Sequence, residues 1–138
     1  MNLFFDTSAF LKRYIYESGS DDIEKLCYAA NNIGISIIMP IEAFSTFNRL
    51  KREKRISSKQ YELIKSEFLG DIRDITIITL DVQVIKNATN AIEKSPLKAL
   101  DAIHISCALE FKPDYFVSCD QQQLVAAKKS GLKVKIIF

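Results

Sequence analysis

The sequence is poor in the residues that build disulfide frameworks, zinc sites and phosphate-binding loops. Its 138 residues include three cysteines, four glycines and one histidine. The cysteines are scattered, odd in number and without the spacing of zinc ligands, which favours reduced thiols over disulfide or zinc roles. The dispersed glycines form no glycine-rich phosphate loop. The sequence therefore predicts neither a secreted disulfide scaffold nor a P-loop protein.

Long hydrophobic runs and a strong excess of one charge are also missing. No apolar stretch approaches the roughly 20 residues that a helix needs to cross a bilayer. Asp6 interrupts the first apolar run and no basic residue precedes it, so the start of the chain does not resemble a signal peptide. The net charge of +2 does not by itself indicate a nucleic-acid-binding protein. We expect a cytoplasmic protein with no membrane segment.

The apolar content is sufficient for one core. With 48% hydrophobic residues, the chain is expected to form a single domain over residues 1–138. Five short apolar or β-branched runs are typical of strands buried on both faces. These runs are residues 3–5, 35–39, 75–80, 115–118 and 134–138. Because helical periodicity separates them, the sequence predicts an α/β fold: a mainly parallel five-stranded sheet with helices on both faces.

Several of the predicted helices carry start or stop signals. Pro40 suits the first turn of one helix, and Ser57 and Gln60 have the spacing of a capping box at the start of the next. Gly131 is a natural left-handed residue at the end of the last helix. Residues 99–111 are apolar nearly all round, which predicts a central, buried helix. The apolar stripe of the helix that begins near Pro40 is predicted to be Ile41, Phe44, Phe47 and Leu50.

Four acidic residues lie where predicted strands end or helices begin. They are Asp6, Glu42, Asp101 and Asp120. Ligands of open α/β sheets bind beyond the carboxyl ends of the strands, so we expect these acids to converge on one edge of the sheet. Each acid could instead be only a helix cap or a partner of a helix dipole. Their joint placement favours a shared site.

A shared acid site predicts a divalent cation. Carboxylates packed together need positive charge among them to stay ionised, and an all-oxygen set suits Mg²⁺ or Mn²⁺ better than zinc. Such ions can activate water for phosphodiester displacement. Ser8 and Ser118 could orient a carboxylate or a metal-bound water, or could act only as local caps. His104 could be a general base, a metal ligand or a packed core residue.

A basic segment follows the second acid. It contains Arg49, Lys51, Arg52, Lys54 and Arg55, against the single acid Glu53. Such a segment is either a solvated helix end or, beside a metal site, a grip for RNA phosphates. On the second interpretation the candidate RNA-binding residues are Arg49, Lys51, Arg52 and Arg55. Helical spacing also places Ser45, Thr46 and Arg49 on the same face as Glu42.

Four motifs resemble those of PIN-domain proteins, in particular the VapC-type toxins of toxin–antitoxin pairs. Residues 4–10 (Phe-Phe-Asp-Thr-Ser-Ala-Phe) resemble the family's opening motif, and residues 40–42 (Pro-Ile-Glu) its second acid. Residues 100–104 (Leu-Asp-Ala-Ile-His) resemble its Asp-Ala-x-His motif, and residues 116–120 (Phe-Val-Ser-Cys-Asp) its Val-Thr/Ser-x-Asp motif. Many relatives carry a further acid where this chain has three consecutive glutamines. This departure argues against a second bound metal ion but not against the fold.

The resemblance implies a Mg²⁺- or Mn²⁺-dependent endoribonuclease that cleaves single-stranded RNA. The catalytic and metal-binding acids would be Asp6, Glu42, Asp101 and Asp120, with Ser118 in support. It also implies a homodimer and a cognate antitoxin protein as partner. One alternative is a catalytically inactive PIN-like module that binds RNA or protein, although the presence of all four acids argues against it. A phosphatase of the haloacid dehalogenase type is disfavoured, because it requires a second Asp at the position of Ser8.

Overall fold

The computed structural model describes residues 1–138, which contain one five-stranded sheet. All neighbouring strands are parallel, in the order β3-β2-β1-β4-β5. The strands are β1 (Asn2–Phe5), β2 (Asn32–Ser36), β3 (Thr76–Ile78), β4 (Tyr115–Ser118) and β5 (Val134–Ile136). The predicted α/β fold with a parallel five-stranded sheet is confirmed. The first strand in the chain is thus the central one.

Seven α-helices connect or cover the strands. They are α1 (Thr7–Phe10), α2 (Ser20–Ala29), α3 (Met39–Arg52), α4 (Ser58–Asp71), α5 (Val82–Lys94), α6 (Ala99–Phe111) and α7 (Gln121–Lys129). The capping box of Ser57 and Gln60 is present at the start of α4, and Gly131 follows α7 with a φ of +96°. Helix α5 was not predicted from the sequence; Asp81 caps it by accepting a hydrogen bond from the backbone nitrogen of Val84 at 2.9 Å. No helix is long and apolar enough to span a bilayer.

The sheet separates two buried clusters of side chains. Leu3 and Phe5 of β1 point into a cluster shared with α1 to α4, whereas Phe4 points into a cluster shared with α5, α6 and α7. Alternation along one strand therefore supplies both layers, as expected for a central strand covered on both faces. As predicted, α6 is largely buried.

The second predicted strand is wrong by several residues. The apolar run 35–39 covers the end of β2 and the beginning of α3, because Pro40 favours a helical first turn there. Strand β2 instead begins earlier and includes Gly34, where a Cβ atom would lie only 2.7 Å from the ring of Phe111. A side chain at this position would push α6 away from the sheet. Strands β3 and β5 are also shorter than predicted.

The predicted core face of α3 needs a correction too. Ile41 was expected to be buried, but 71% of it is exposed. The buried positions are Met39, Ala43, Phe47 and Leu50, a stripe rotated toward the sheet. Leu100, which lies in the helix predicted to be buried, is likewise exposed. Both exposed residues directly precede one of the candidate acids.

Candidate active site

Asp6 lies directly after β1 and is almost completely buried. Its Oδ2 atom accepts a hydrogen bond from Ser118 Oγ at 2.5 Å, and its Oδ1 atom accepts one from Ser8 Oγ at 2.8 Å. The backbone nitrogen of Ala9 also donates to Oδ1 at 3.0 Å, so Asp6 caps α1 as well. Burial raises the pKa of Asp6 above its ordinary value, although these hydrogen bonds act in the opposite direction. Both predicted serines therefore contact this carboxylate.

Glu42 lies in the first turn of α3, and 28% of its side chain is exposed. Its Oε1 atom accepts hydrogen bonds from Thr7 Oγ1 at 2.6 Å and from His104 Nε2 at 2.5 Å. Partial burial raises the pKa of Glu42, but the hydrogen bonds from His104 and Thr7 outweigh it and hold the pKa below its ordinary value. Glu42 is therefore an ionised carboxylate at neutral pH.

Asp101 and Asp120 lie at the starts of α6 and α7. Asp101 has one long hydrogen bond, from Gln123 Nε2 at 3.5 Å. Burial and, next, the charge of Asp120 raise the pKa of Asp101, and Glu42 adds to the repulsion. Asp120 caps α7 by accepting a hydrogen bond from the backbone nitrogen of Gln122 at 2.9 Å. These acids thus share one electrostatic environment, and the capping interpretation of Asp120 is also correct.

The structure does not bring the four acids into a ready-made ligand cage. No three Asp, Glu, His or Cys side chains meet closely enough to hold one metal ion. One reason is that Asp6 is engaged by serine hydroxyls and Asp120 by the amino end of α7. The donor set nevertheless suits a hard cation, because it consists of carboxylate oxygens and none of Asp6, Asp101 and Asp120 takes part in an ion pair.

A cleft of about 640 Å³ opens beside Glu42, the one acid of the four that lines it. Thr7, Ser8 and Glu42 line it near β1, and the polar face of α3 continues it. The further polar residues of its wall are Glu17, Ser45, Thr46, Arg49 and Arg55. The polar stripe predicted for α3 therefore faces a single cleft that runs from Glu42 to the basic segment.

The four candidate RNA-binding residues divide into two groups. Arg49 and Arg55 line the cleft, and each lies within 4 Å of Glu53 Oε2, at 3.6 Å and 3.9 Å. Lys51 instead places its ammonium group over the ring of Tyr61, 4.6 Å from the ring centre. Arg52 is exposed and does not line the cleft. Only the two arginines beside Glu53 are thus placed to meet a strand bound there.

The interpretation of His104 as a packed core residue that forms hydrogen bonds agrees with the structure, but its partners were not predicted from the sequence. The ring is buried on α6, with Nδ1 3.2 Å from Ser36 Oγ and Nε2 bound to Glu42. Ser36 gave no signal, because it fell inside the strand predicted for residues 35–39. Thr7 was identifiable only as the neighbour of Asp6 in the motif of residues 4–10.

Comparison with known proteins assigns the family. The model of the PIN domain family matches residues 3–129, and the chain belongs to that family. The resemblance inferred from the four motifs is therefore confirmed. No protein of curated function matches the sequence.

Several solved structures share the fold. VapBC2 from Rickettsia felis, bound to a DNA fragment from its promoter, has 14% identity and a TM-score of 0.70 over 100% of both chains. FitAcB from Neisseria gonorrhoeae has 13% identity and a TM-score of 0.71, covering 96% of this chain and 95% of that one. VapC20 from Mycobacterium tuberculosis, described as a toxin that cleaves the sarcin–ricin loop, has 12% identity and a TM-score of 0.66, covering 94% and 95%. At these identities the likeness establishes the fold, which is that of VapC-type proteins.

Proposed function

We propose that the protein is a cytoplasmic, Mg²⁺- or Mn²⁺-dependent endoribonuclease that cleaves single-stranded RNA. The observation that carries this proposal is the set of four carboxylates, three of which (Asp6, Asp101 and Asp120) have no ion-pair partner, whereas the fourth, Glu42, lines a cleft with two arginines. Membership of the PIN family supports it, as does the shared fold with a toxin described as cleaving the sarcin–ricin loop.

In this proposal Asp6, Glu42, Asp101 and Asp120 hold the cation, which when bound stabilises charge on the phosphate and supplies an activated water. The protein contributes preorganised oxygens: Ser8 and Ser118 fix Asp6 from two sides. Because Asp101 and Asp120 repel each other, a cation held by them would relieve an unfavourable interaction.

Arg49 and Arg55 provide further contacts for the RNA strand in the cleft, beyond the acids. Guanidinium groups bind phosphate oxygens with directional, charge-assisted hydrogen bonds. A backbone that enters the cleft from the acids meets the hydroxyls of Ser45 and Thr46 before it reaches the arginines. Phosphate contacts of this kind position the RNA without reading its sequence.

The direct test incubates the purified protein with a labelled single-stranded RNA, the same RNA in a duplex, and a small phosphate ester. We expect internal cleavage of the single strand with Mg²⁺ or Mn²⁺ and none after chelation. Hydrolysis of the ester alone would indicate a phosphatase. Bound Mn²⁺ without cleavage of any substrate would instead favour the alternative, an inactive PIN-like module that binds RNA or protein.

Removal of the two cleft arginines should weaken RNA binding. In the double variant Arg49→Gln, Arg55→Gln, a plot of log affinity against log salt concentration should be less steep than for the wild type. Its slope should fall by about one for each phosphate that the protein no longer binds, because fewer counterions are released. The variant Lys51→Gln, Arg52→Gln removes the same charge outside the cleft and is the matched control. Equal reductions of affinity in both variants, measured by fluorescence anisotropy across a salt series, would show that the segment acts only through its net charge.

We also propose that the protein is a homodimer formed through α5. Val82, Ile85 and Ile92 lie on one face of α5 and are 73%, 59% and 46% exposed, whereas the opposite face buries Val84 and Ala91. In an antiparallel pair of α5 helices, Ile85 of one copy meets Ile92 of the other, and Lys86 approaches Glu93. This self-complementary pattern suits a two-fold interface.

The dimer proposal predicts that Ile85→Lys yields a monomer, since it places two desolvated charges at the centre of the interface. Sedimentation velocity at micromolar concentration measures the change in mass. Leu63→Lys, at an exposed leucine of α4, is the control and should leave the mass unchanged. A wild-type protein that sediments as a monomer would contradict the proposal directly.

A cognate antitoxin is the proposed protein partner. Solved structures of this fold include toxin–antitoxin complexes. The acid site offers such a partner an electrostatic target, because an inserted Arg or Lys can pair with the carboxylates and take the place of the cation. RNA cleavage should therefore be abolished in the complex with the product of the neighbouring gene. Equal cleavage by the free protein and by the complex would exclude this form of inhibition.

A further inference from the structure

His104 connects three elements at the edge of the acid site. It is the only histidine of the chain and is buried on α6. Its Nε2 atom lies 2.5 Å from Glu42 Oε1 on α3, and its Nδ1 atom lies 3.2 Å from Ser36 Oγ at the end of β2. The ring is thus held at both nitrogens by side chains that are distant in sequence.

The partners of the ring determine where its hydrogen lies. The Oε1 atom of Glu42 accepts the hydrogen bond from Thr7 and lies 2.5 Å from the ring nitrogen, so Glu42 is the acceptor and the hydrogen is assigned to Nε2. Nδ1 then accepts a hydrogen bond from the hydroxyl of Ser36, which fixes this tautomer. Ser36 therefore acts on Glu42 through the ring, without touching the carboxylate.

The hydrogen bonds to Glu42 are asymmetric. Both Thr7 and His104 bind Oε1, whereas Oε2 has no hydrogen-bond partner. Because Glu42 lines the cleft, Oε2 is the oxygen available to a cation. A glutamate has several rotatable bonds, and two donors on one oxygen restrict them before any ligand arrives.

We propose that His104 is a positioning residue: it holds Glu42 through Oε1 so that Oε2 serves the cation, and Ser36 maintains the required tautomer. The inference rests on the proposed function, since Glu42 needs a fixed orientation only if it binds the ion. A histidine that merely fills the core would be replaceable by any polar residue that preserves folding.

Two amide substitutions separate these roles. His104→Gln can place an amide nitrogen near the position of Nε2 and keep a donor to Glu42, whereas His104→Asn reaches only the position of Nδ1. We expect His104→Asn to weaken Mn²⁺ binding roughly 10- to 100-fold in calorimetry, the usual effect of removing an outer-shell partner. His104→Gln should retain most of the affinity. Wild-type affinity in both variants, with bound metal in the wild type, would overturn the inference and leave the proposed function standing.

A second pair of variants covers the case in which neither His104 variant folds. Ser36→Ala removes the hydroxyl that binds Nδ1, and Ser106→Ala removes a hydroxyl of α6 that binds the backbone oxygen of Val84 on α5. Both delete one buried hydrogen bond, but only the first touches His104. We expect a lower Mn²⁺ affinity for Ser36→Ala than for Ser106→Ala; equal affinities would contradict the inference.

A measurement without metal completes the test. Because the chain has one histidine, ¹⁵N NMR of the imidazole reports His104 without overlap. The wild type should show the tautomer with hydrogen on Nε2, and Glu42→Gln or Ser36→Ala should shift it. A mixture of tautomers in the wild type would overturn the inference. Failure of the wild type to bind Mn²⁺ would overturn the proposed function and the inference together, whereas the variant comparisons contradict the inference alone.

Discussion

Asp6→Asn should lower metal-dependent RNA cleavage by more than about a hundredfold, a larger effect than outer-shell substitutions usually cause. Asp6 is the most buried of the four acids and the one most firmly fixed, by Ser8, Ser118 and the backbone of Ala9. An amide keeps the shape of the side chain but removes the charge that attracts the cation. Cleavage rates with saturating Mn²⁺ and a labelled single-stranded RNA give the comparison.

The same variant should not lose stability in the absence of metal. Burial raises the pKa of Asp6, so the folded protein favours the protonated form of this carboxyl group. The stability that the protonated form contributes is present at low pH and is lost as pH rises through the raised pKa. At neutral pH the amide avoids this loss, so the metal-free variant should melt at the same or a higher temperature. Asp74→Asn, at an exposed acid outside the site, is the control for both measurements. Unchanged cleavage by Asp6→Asn would remove Asp6 from the proposed site.

Phe68→Ala should destabilise the protein by about 3–5 kcal/mol. Phe68 is fully buried on α4, and its ring lies edge-on to Tyr14, Phe44 and Phe47 at centroid distances of 5.4, 5.5 and 5.7 Å. Truncation leaves a cavity among aromatic rings, which cannot move inward without breaking their own contacts. Urea denaturation followed by circular dichroism measures the change in the free energy of unfolding.

Leu63→Ala provides the comparison on the same helix, because Leu63 is exposed and should contribute little. A destabilisation below about 1 kcal/mol for Phe68→Ala would mean that the cluster collapses around the cavity. The cluster matters for the site as well. It joins α3 to the segment that follows α1, and therefore fixes Glu42 relative to Asp6.

The sequence was most informative for the central strands. β4 has the predicted bounds and β1 differs by one residue, because both are short apolar runs that end at a polar residue. The run at residues 35–39 misled the prediction because apolar residues continue from the end of β2 into the buried start of α3. Helix α5 was missed although apolar residues recur in it at helical spacing, and its large exposed residues such as Ile85 would have suggested the wrong buried face. Hydrophobicity along the chain does not reveal which side of a helix faces the core.

The candidate site also contains some features that could be predicted from the sequence and others that could not. The positions of the four acids in the fold can be predicted from the sequence, because each acid lies at the end of a strand or the start of a helix. Hydrogen bonds between distant residues cannot be predicted in this way: Ser36 and His104 are 68 positions apart, and no local pattern links them. Whether carboxylates come within ligating distance of one another also depends on side-chain rotamers, which spacing does not specify.

The place of β1 at the centre of the sheet has a consequence for synthesis on the ribosome. Domains begin to fold as the chain emerges from the ribosome. However, β1 pairs on one side with β4, and Asp6 accepts one of its hydrogen bonds from Ser118, which lies 112 residues later in the chain. A nascent chain that ends before β4 has neither this hydrogen bond nor Asp120. On the proposed function, activity that depends on these residues therefore requires that β4 and Asp120 have already been synthesised.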